Sequence, residues 1–120
     1  MPRSTVPDIR ERAFRFTCDA YDFCTDLARI PGMRRRIAYQ LFDAASSIGS
    51  NLEEAKSAYS RREFAAKNCI SLKESREAFY WLRVADAKQL GPDELRTMLL
   101  AESNELVAIL TAIVKRLQHD

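Results

Sequence analysis

The sequence predicts an all-α protein, an antiparallel up-down-up-down four-helix bundle made of one domain over residues 1–120. Three observations carry this. Apolar residues recur every three or four positions through most of the chain. Turn formers are scarce, with three glycines and four prolines among 120 residues, so the elements are few and long. The breaks between periodic stretches span only a few residues, which makes sequential helices pack antiparallel. A chain of this length buries roughly two-thirds of its unfolded surface in a single core.

The first helix, about residues 8–30, begins at Asp8, a capping residue with Glu11 three positions on as its reciprocal partner. Ile9, Ala13, Phe16, Ala20, Phe23, Leu27 and Ile30 form its inward seam, and Pro31-Gly32 ends it. The second helix, about 34–59, carries Ile37, Leu41, Ala44, Ile48, Leu52, Ala55 and Tyr59 on one stripe. Ser60 and Glu63 form the next capping box, opening a third helix over about 61–90. Gly91-Pro92-Asp93 then breaks the chain before a fourth helix over about 93–118, with Leu95, Leu99, Leu106, Ile109, Ile113 and Leu117 inward.

Two features exceed what a plain bundle needs. Gly49 lies mid-helix among Ala44, Ala45, Ser46, Ser47 and Ser50, where glycine costs about 1 kcal/mol relative to alanine. It marks either a close helix crossing or an opening for a ligand or partner backbone. Ala78 to Ala85 holds one charge, Arg83, and Leu106 to Val114 has Thr111 as its one polar residue. Helices that are apolar all round ask for a second partner, and in a four-helix bundle that partner is another subunit.

Composition narrows the function classes. The 47% hydrophobic and 30% charged content is that of a globular chain. No long uncharged apolar run is present, so no membrane span is expected, and MPRSTVPDIR does not read as a signal peptide. Cys18, Cys24 and Cys69 lack metal or redox spacing and read as reduced thiols in a cytoplasmic protein. A net charge of +2 argues against a strongly basic nucleic-acid domain, although 14 of the 19 cations are arginine.

The stretches SSIGSNLEEA, S-x-x-E-F, K-x-x-I-S-L-K-E-S-R-E and Y-W-L resemble the bacterial four-helix-bundle family linked to intervening sequences in 23S rRNA genes. Ser47, Ile48, Gly49, Asn51, Glu54, Ala55, Phe64, Lys67, Lys73, Glu74, Glu77, Tyr80, Trp81 and Leu82 carry the match. Ser50 and Ser75 stand where that family usually has alanine. The resemblance implies a homo-oligomeric ring, a pentamer. It also implies kinship with the accessory variability proteins of diversity-generating retroelements, which bind a reverse transcriptase and nucleic acid.

Asn51, Glu54, Lys73, Glu74, Glu77, Tyr80 and Trp81 are therefore candidates for fixing register and assembly, with Tyr80 and Trp81 at a core or subunit interface. Arg29, Arg34, Arg35, Arg36, Arg61 and Arg62 are the candidate nucleic-acid residues at the helix ends, the first end also gathering Lys88 and Arg96. No aromatic is interleaved with these arginines, so stacking on single strands lacks support. A ferritin-type metal site needs histidines inside the bundle, and the one histidine, His119, is next to last. No base stands by a cysteine, and no phosphate loop or nucleophile elbow is present. The expectation is a non-enzyme without cofactor, metal or membrane, whose partners are itself and RNA, DNA or a nucleic-acid-processing protein. A protein–protein adapter with no nucleic-acid role stays open beside it.

Overall fold

A computed structural model describes residues 8–119, all four helices included. The opening segment, on which the signal-peptide expectation rests, lies outside the described residues. The order is α1 (Ile9–Ala28), α2 (Met33–Lys56), α3 (Arg61–Ala87) and α4 (Asp93–His119), with no strand among the described residues. The molecule measures 45 × 32 × 21 Å.

The helix starts follow their caps. Asp8 accepts a hydrogen bond from the Glu11 amide at 3.0 Å, and Ser60 accepts one from the Glu63 amide at 3.1 Å. Glu63 reaches back one residue further than a capping box requires, to the Tyr59 amide at 3.0 Å. α2 starts at Gly32, whose φ of +102° is a conformation only glycine adopts at ease, and no side chain caps it.

The helix ends explain two departures from the apolar stripes. α1 closes at Ala28, and Ile30, placed inward by periodicity, is 49% exposed in the turn. α2 stops at Lys56, so Tyr59 leaves the stripe and is 99% exposed. α3 ends in a Schellman motif: the Gln89 amide donates to Asp86 O and the Leu90 amide to Ala85 O. Gln89 takes the left-handed position, at φ +56°. At Gly91, φ +72°, an added Cβ would lie 2.6 Å from Phe23 and 2.7 Å from Leu27, so this turn is packed directly on α1.

Along the chain each helix packs on the next, and α1 meets α4 over a sparser contact. Phe16, Phe23, Leu27, Leu41, Ile48, Leu82, Leu99, Leu106 and Leu110 are the large side chains at the centre of the core. In the second half of α4 the buried row is Leu106, Leu110 and Val114, one position past the expected Ile109 and Ile113, which are half-buried. From Leu106 the buried row advances by four residues where the expected seam advanced by three, and both steps stay close to one helix face.

Small polar residues fill the helix contacts. Ser71 Oγ donates to Ile48 O across α2 and α3 at 2.9 Å, and Thr17 Oγ1 donates to Ala45 O across α1 and α2 at 3.2 Å. Ser75 and Ser103 are buried and donate to carbonyls of their own helices. Gly49 faces Ala13, yet an added Cβ would sit 3.6 Å from the Ala13 Cβ, an ordinary contact. The α1–α2 crossing therefore does not exclude alanine at this position.

α4 is long and apolar enough to cross a membrane by composition: an 18-residue window reaches a mean hydropathy of 1.5, with 28% of it buried in the fold. The sequence expectation counted uninterrupted apolar runs and missed a window that tolerates two charges. The same helix supplies Leu99, Leu106, Leu110 and Val114 to the core, so its apolarity also has a use within the bundle.

Candidate functional site

The residues singled out on α2 and α3 are spread along the helix pair, Glu54 near the α2–α3 turn and Trp81 against the start of α2. Lys67 Nζ donates to Glu54 Oε1 at 2.8 Å, and both groups are partly exposed. Glu54 thus pairs with Lys67 and not with Lys73, Glu74 or Glu77. Helix spacing could have found this partner, since packing about the turn at Ser60 brings Glu54 level with residues 66–70. Asn51 bonds within its own helix, Nδ2 donating to Ser47 O at 2.8 Å. It does not bridge to α3.

Glu74 and Glu77 stand on the same stretch of α3 without an ion pair among the described residues. Burial pushes the Glu74 carboxyl up from its ordinary value, and the nearby charges of Glu77 and Asp43 act in the same direction, while Lys73 opposes them. One turn on, Trp81 is half-buried, and its indole Nε1 is buried with no acceptor among the described residues. It lines an open groove of about 370 Å³ with Met33, Arg36, Ile37 and Gln40. Met33 is 71% exposed there. Tyr80 meets the Trp81 ring edge-on at 5.3 Å and stays 55% exposed on the outer face of α3.

The predicted cationic end is mostly engaged locally. Arg29 donates to Asp26 Oδ1 at 2.7 Å, and Arg34 lies 3.7 Å from the same carboxylate. Arg35 donates to Ala28 O at 2.9 Å, closing the end of α1. Arg29 and Arg36 are exposed, and of the four Arg36 alone makes no side-chain ion pair or hydrogen bond among the described residues. Arg34 Nε is buried without an acceptor. At the other end Arg61 and Arg62 are exposed. Arg10, Arg12 and Arg15 are tied to Glu53, Glu102 and Glu11.

Arg96, grouped from sequence with the surface cations, is 3% exposed. Its guanidinium binds Asp86 at 3.0 Å, Asp93 at 2.6 Å and the carbonyls of Leu90 and Gly91 at 2.8 and 3.1 Å. Hydrogen bonding to Asp86 raises its pKa further above an already high value. This side chain organises the α3–α4 turn and is withdrawn from solvent. The signal was present as Asp86 and Asp93 at ten and three residues' separation, but nothing in the sequence showed that the turn would fold over it.

A groove of about 460 Å³ between α1 and α4 is crossed by the Arg12–Glu102 bridge, with contacts of 3.0 and 2.6 Å. Among the described residues no group of three or more His, Cys, Asp or Glu is placed to hold a metal. Burial pushes the Cys24 thiol up to about 12, so it stays protonated and unreactive at neutral pH, while Cys18 and Cys69 are exposed.

The chain matches the model of the family described as 23S rRNA-intervening sequence protein over residues 7–112. Among solved structures it is similar to a crystal structure from Bacteroides thetaiotaomicron VPI-5482, described as a protein with unknown function from the S23 ribosomal protein family. The two share 25% identity with a TM-score of 0.80, over 90% of this chain and 99% of that one. No curated protein sequence matches. The match to the family model spans nearly the whole fold, so the chain belongs to the 23S rRNA-intervening sequence protein family.

Proposed function

We propose that this protein is a non-enzymatic, cytoplasmic scaffold: one antiparallel up-down-up-down domain that assembles into a homo-oligomeric ring, a pentamer, and binds nucleic acid or a ribonucleoprotein. The antiparallel reading is supported by pairs whose numbers run in opposite directions. Thr17 meets Ala45 while Arg10 meets Glu53, and Ile48 meets Ser71 while Glu54 meets Lys67.

The observation that carries the assembly is the α2–α3 groove, where Met33 is largely exposed beside an indole donor that no described residue satisfies. A buried donor without an acceptor costs about 1–3 kcal/mol, and a neighbouring subunit that reorders this groove could supply the acceptor. Phe14 and Tyr21, 62% and 61% exposed on α1, offer a second apolar face. A ring needs two different faces per subunit, because its contacts are head-to-tail. Glu54–Lys67 joins α2 and α3 nearer their shared turn, away from this groove. The nucleic-acid part rests on the family description and on the exposed cations.

Size-exclusion chromatography with light scattering, recording absorbance at 260 and 280 nm without nuclease treatment, tests the whole reading. The expected result is a ring mass with excess 260 nm absorbance that salt removes. A clean ring would turn the reading into a protein adapter, and a monomer would end the assembly argument. Met33→Ser with Trp81→Ala should dissociate the ring if the groove is the interface.

A further inference from the structure

One row of cations is left unpaired by the fold, and it lies along the side of the bundle and not at its ends. Arg62, Cys69, Lys73, Arg76, Tyr80 and Arg83 follow one another at helical spacing on α3, and each is exposed. The row is about 31 Å long at 1.5 Å per residue. None of its four cations forms an ion pair or a side-chain hydrogen bond among the described residues. The one electrostatic contact is that of Lys73 with Glu74 beside it. Glu77, exposed and one turn from Lys73, flanks the row on one side together with Glu74, and Glu63 is turned back onto the Tyr59 amide. Tyr80 interrupts the cations with a ring that is 55% exposed and oriented by its edge contact with Trp81.

We propose that the outer face of α3 binds single-stranded RNA, with phosphates along Arg62, Lys73, Arg76 and Arg83 and a base stacked on Tyr80. This rests on the nucleic-acid reading above and moves the contact from the arginines at the α1–α2 turn to the face of α3. Regularly placed cations follow a phosphodiester chain, and an interleaved aromatic serves any unpaired base, since every base has a stacking face. A carboxylate surface would use the cations and leave the ring idle. A duplex keeps its bases stacked away from such a ring, which favours a single strand.

The test is fluorescence anisotropy of the full chain with a labelled oligouridylate of about 12 nucleotides, inside the usual site sizes of single-strand binders. Four phosphate contacts should give a log–log salt slope of about −3, from roughly 0.7 per phosphate. Arg76→Gln with Arg83→Gln should halve that slope and weaken binding at least tenfold. Tyr80→Ala should weaken binding by roughly tenfold, while Tyr80→Phe, which keeps the stacking face, should bind like the parent. RNA should also protect Cys69 from an alkylating reagent and leave Cys18, on α1, reactive.

Normal binding by the α3 variants, with loss confined to Arg36→Gln or to Arg34→Gln with Arg35→Gln, would overturn this inference and leave the proposed function standing. No binding of oligouridylate or of a DNA strand by the parent protein at low salt would overturn both. Equal binding of a polyglutamate peptide, lost in the same variants, would identify an acidic protein surface as the partner and overturn the RNA assignment. Circular dichroism of each variant separates loss of binding from loss of fold.

Discussion

Two arginine-bearing regions of this molecule, one clustered in sequence and one dispersed, differ in what the fold does with them. At the α1–α2 turn, Arg29 and Arg34 converge on Asp26 and Arg35 closes a helix end, so three of four guanidiniums are engaged by their own neighbourhood. Along α3, Arg62, Arg76 and Arg83 stand exposed without a side-chain partner among the described residues. A cation already bound to a carboxylate or a carbonyl has to give up that contact before it can take a phosphate. Clustering in sequence therefore measures local density, while availability depends on what each side chain meets.

The largest effect should come from the most completely engaged cation. Arg96→Ala removes the donors of the Leu90 and Gly91 carbonyls and separates Asp86 from α4. Because both carboxylates reach solvent, the cost is held to about 2–3 kcal/mol, below that of breaking a fully buried pair. The thermal unfolding midpoint should then fall by about 8–12 °C. An unchanged midpoint would mean that the α3–α4 turn is held by the Schellman motif and Gly91 alone.

A smaller difference separates the two regions directly. Arg35→Ala should cost about 1 kcal/mol, since it leaves the Ala28 carbonyl to water, whereas Arg83→Ala should stay within about 0.5 kcal/mol of the parent. Urea unfolding of both variants measures this. Equal losses would show that Arg83 has a structural partner and would weaken the case for an open α3 face.

The four helices were legible because their signals are local. Asp8 and Ser60 cap where they stand, Pro31-Gly32 and Gly91-Pro92 break the chain, and the seam of α1 is buried from Ala13 to Leu27. What was not legible depends on tertiary contact. Arg96 carries the same charge as Arg83, and only the turn folding over it makes it a buried strut. Tyr80 was read with Trp81 as one apolar unit, but adjacent residues on a helix point about 100° apart, and one leans on the core while the other faces out. The cationic row on α3 was dispersed over some twenty residues and escaped a search for neighbouring arginines.

Gly49 offers a test of a similar size and opposite sign. Since an added Cβ meets Ala13 at ordinary distance, Gly49→Ala should stabilise the monomer by about 0.5–1 kcal/mol through helix propensity. Gly49 also lines a shallow groove with Phe14, Thr17, Ser46 and Ser50 on the α1–α2 face. A variant that unfolds later but elutes as a smaller species would show that glycine is kept for a partner backbone. Later unfolding with an unchanged mass would assign this groove no part in assembly.

The smallest effect concerns Glu74, the acid that flanks the cationic row. Burial and the charges of Glu77 and Asp43 hold its carboxyl above the ordinary glutamate value of 4.5. The folded state therefore binds its proton more tightly than the unfolded chain does. The ionised group disfavours folding, so its contribution falls as pH rises through the carboxylate range and is least favourable at neutral pH. Glu74→Gln should match the parent's stability at low pH and exceed it slightly at pH 7, the gain growing as pH climbs past the glutamate range. The same change removes the acid beside Lys73 and should tighten oligouridylate binding modestly at low salt. A gain in stability without tighter binding would separate the two roles and place the strand on the far side of the row, toward Arg76 and Arg83.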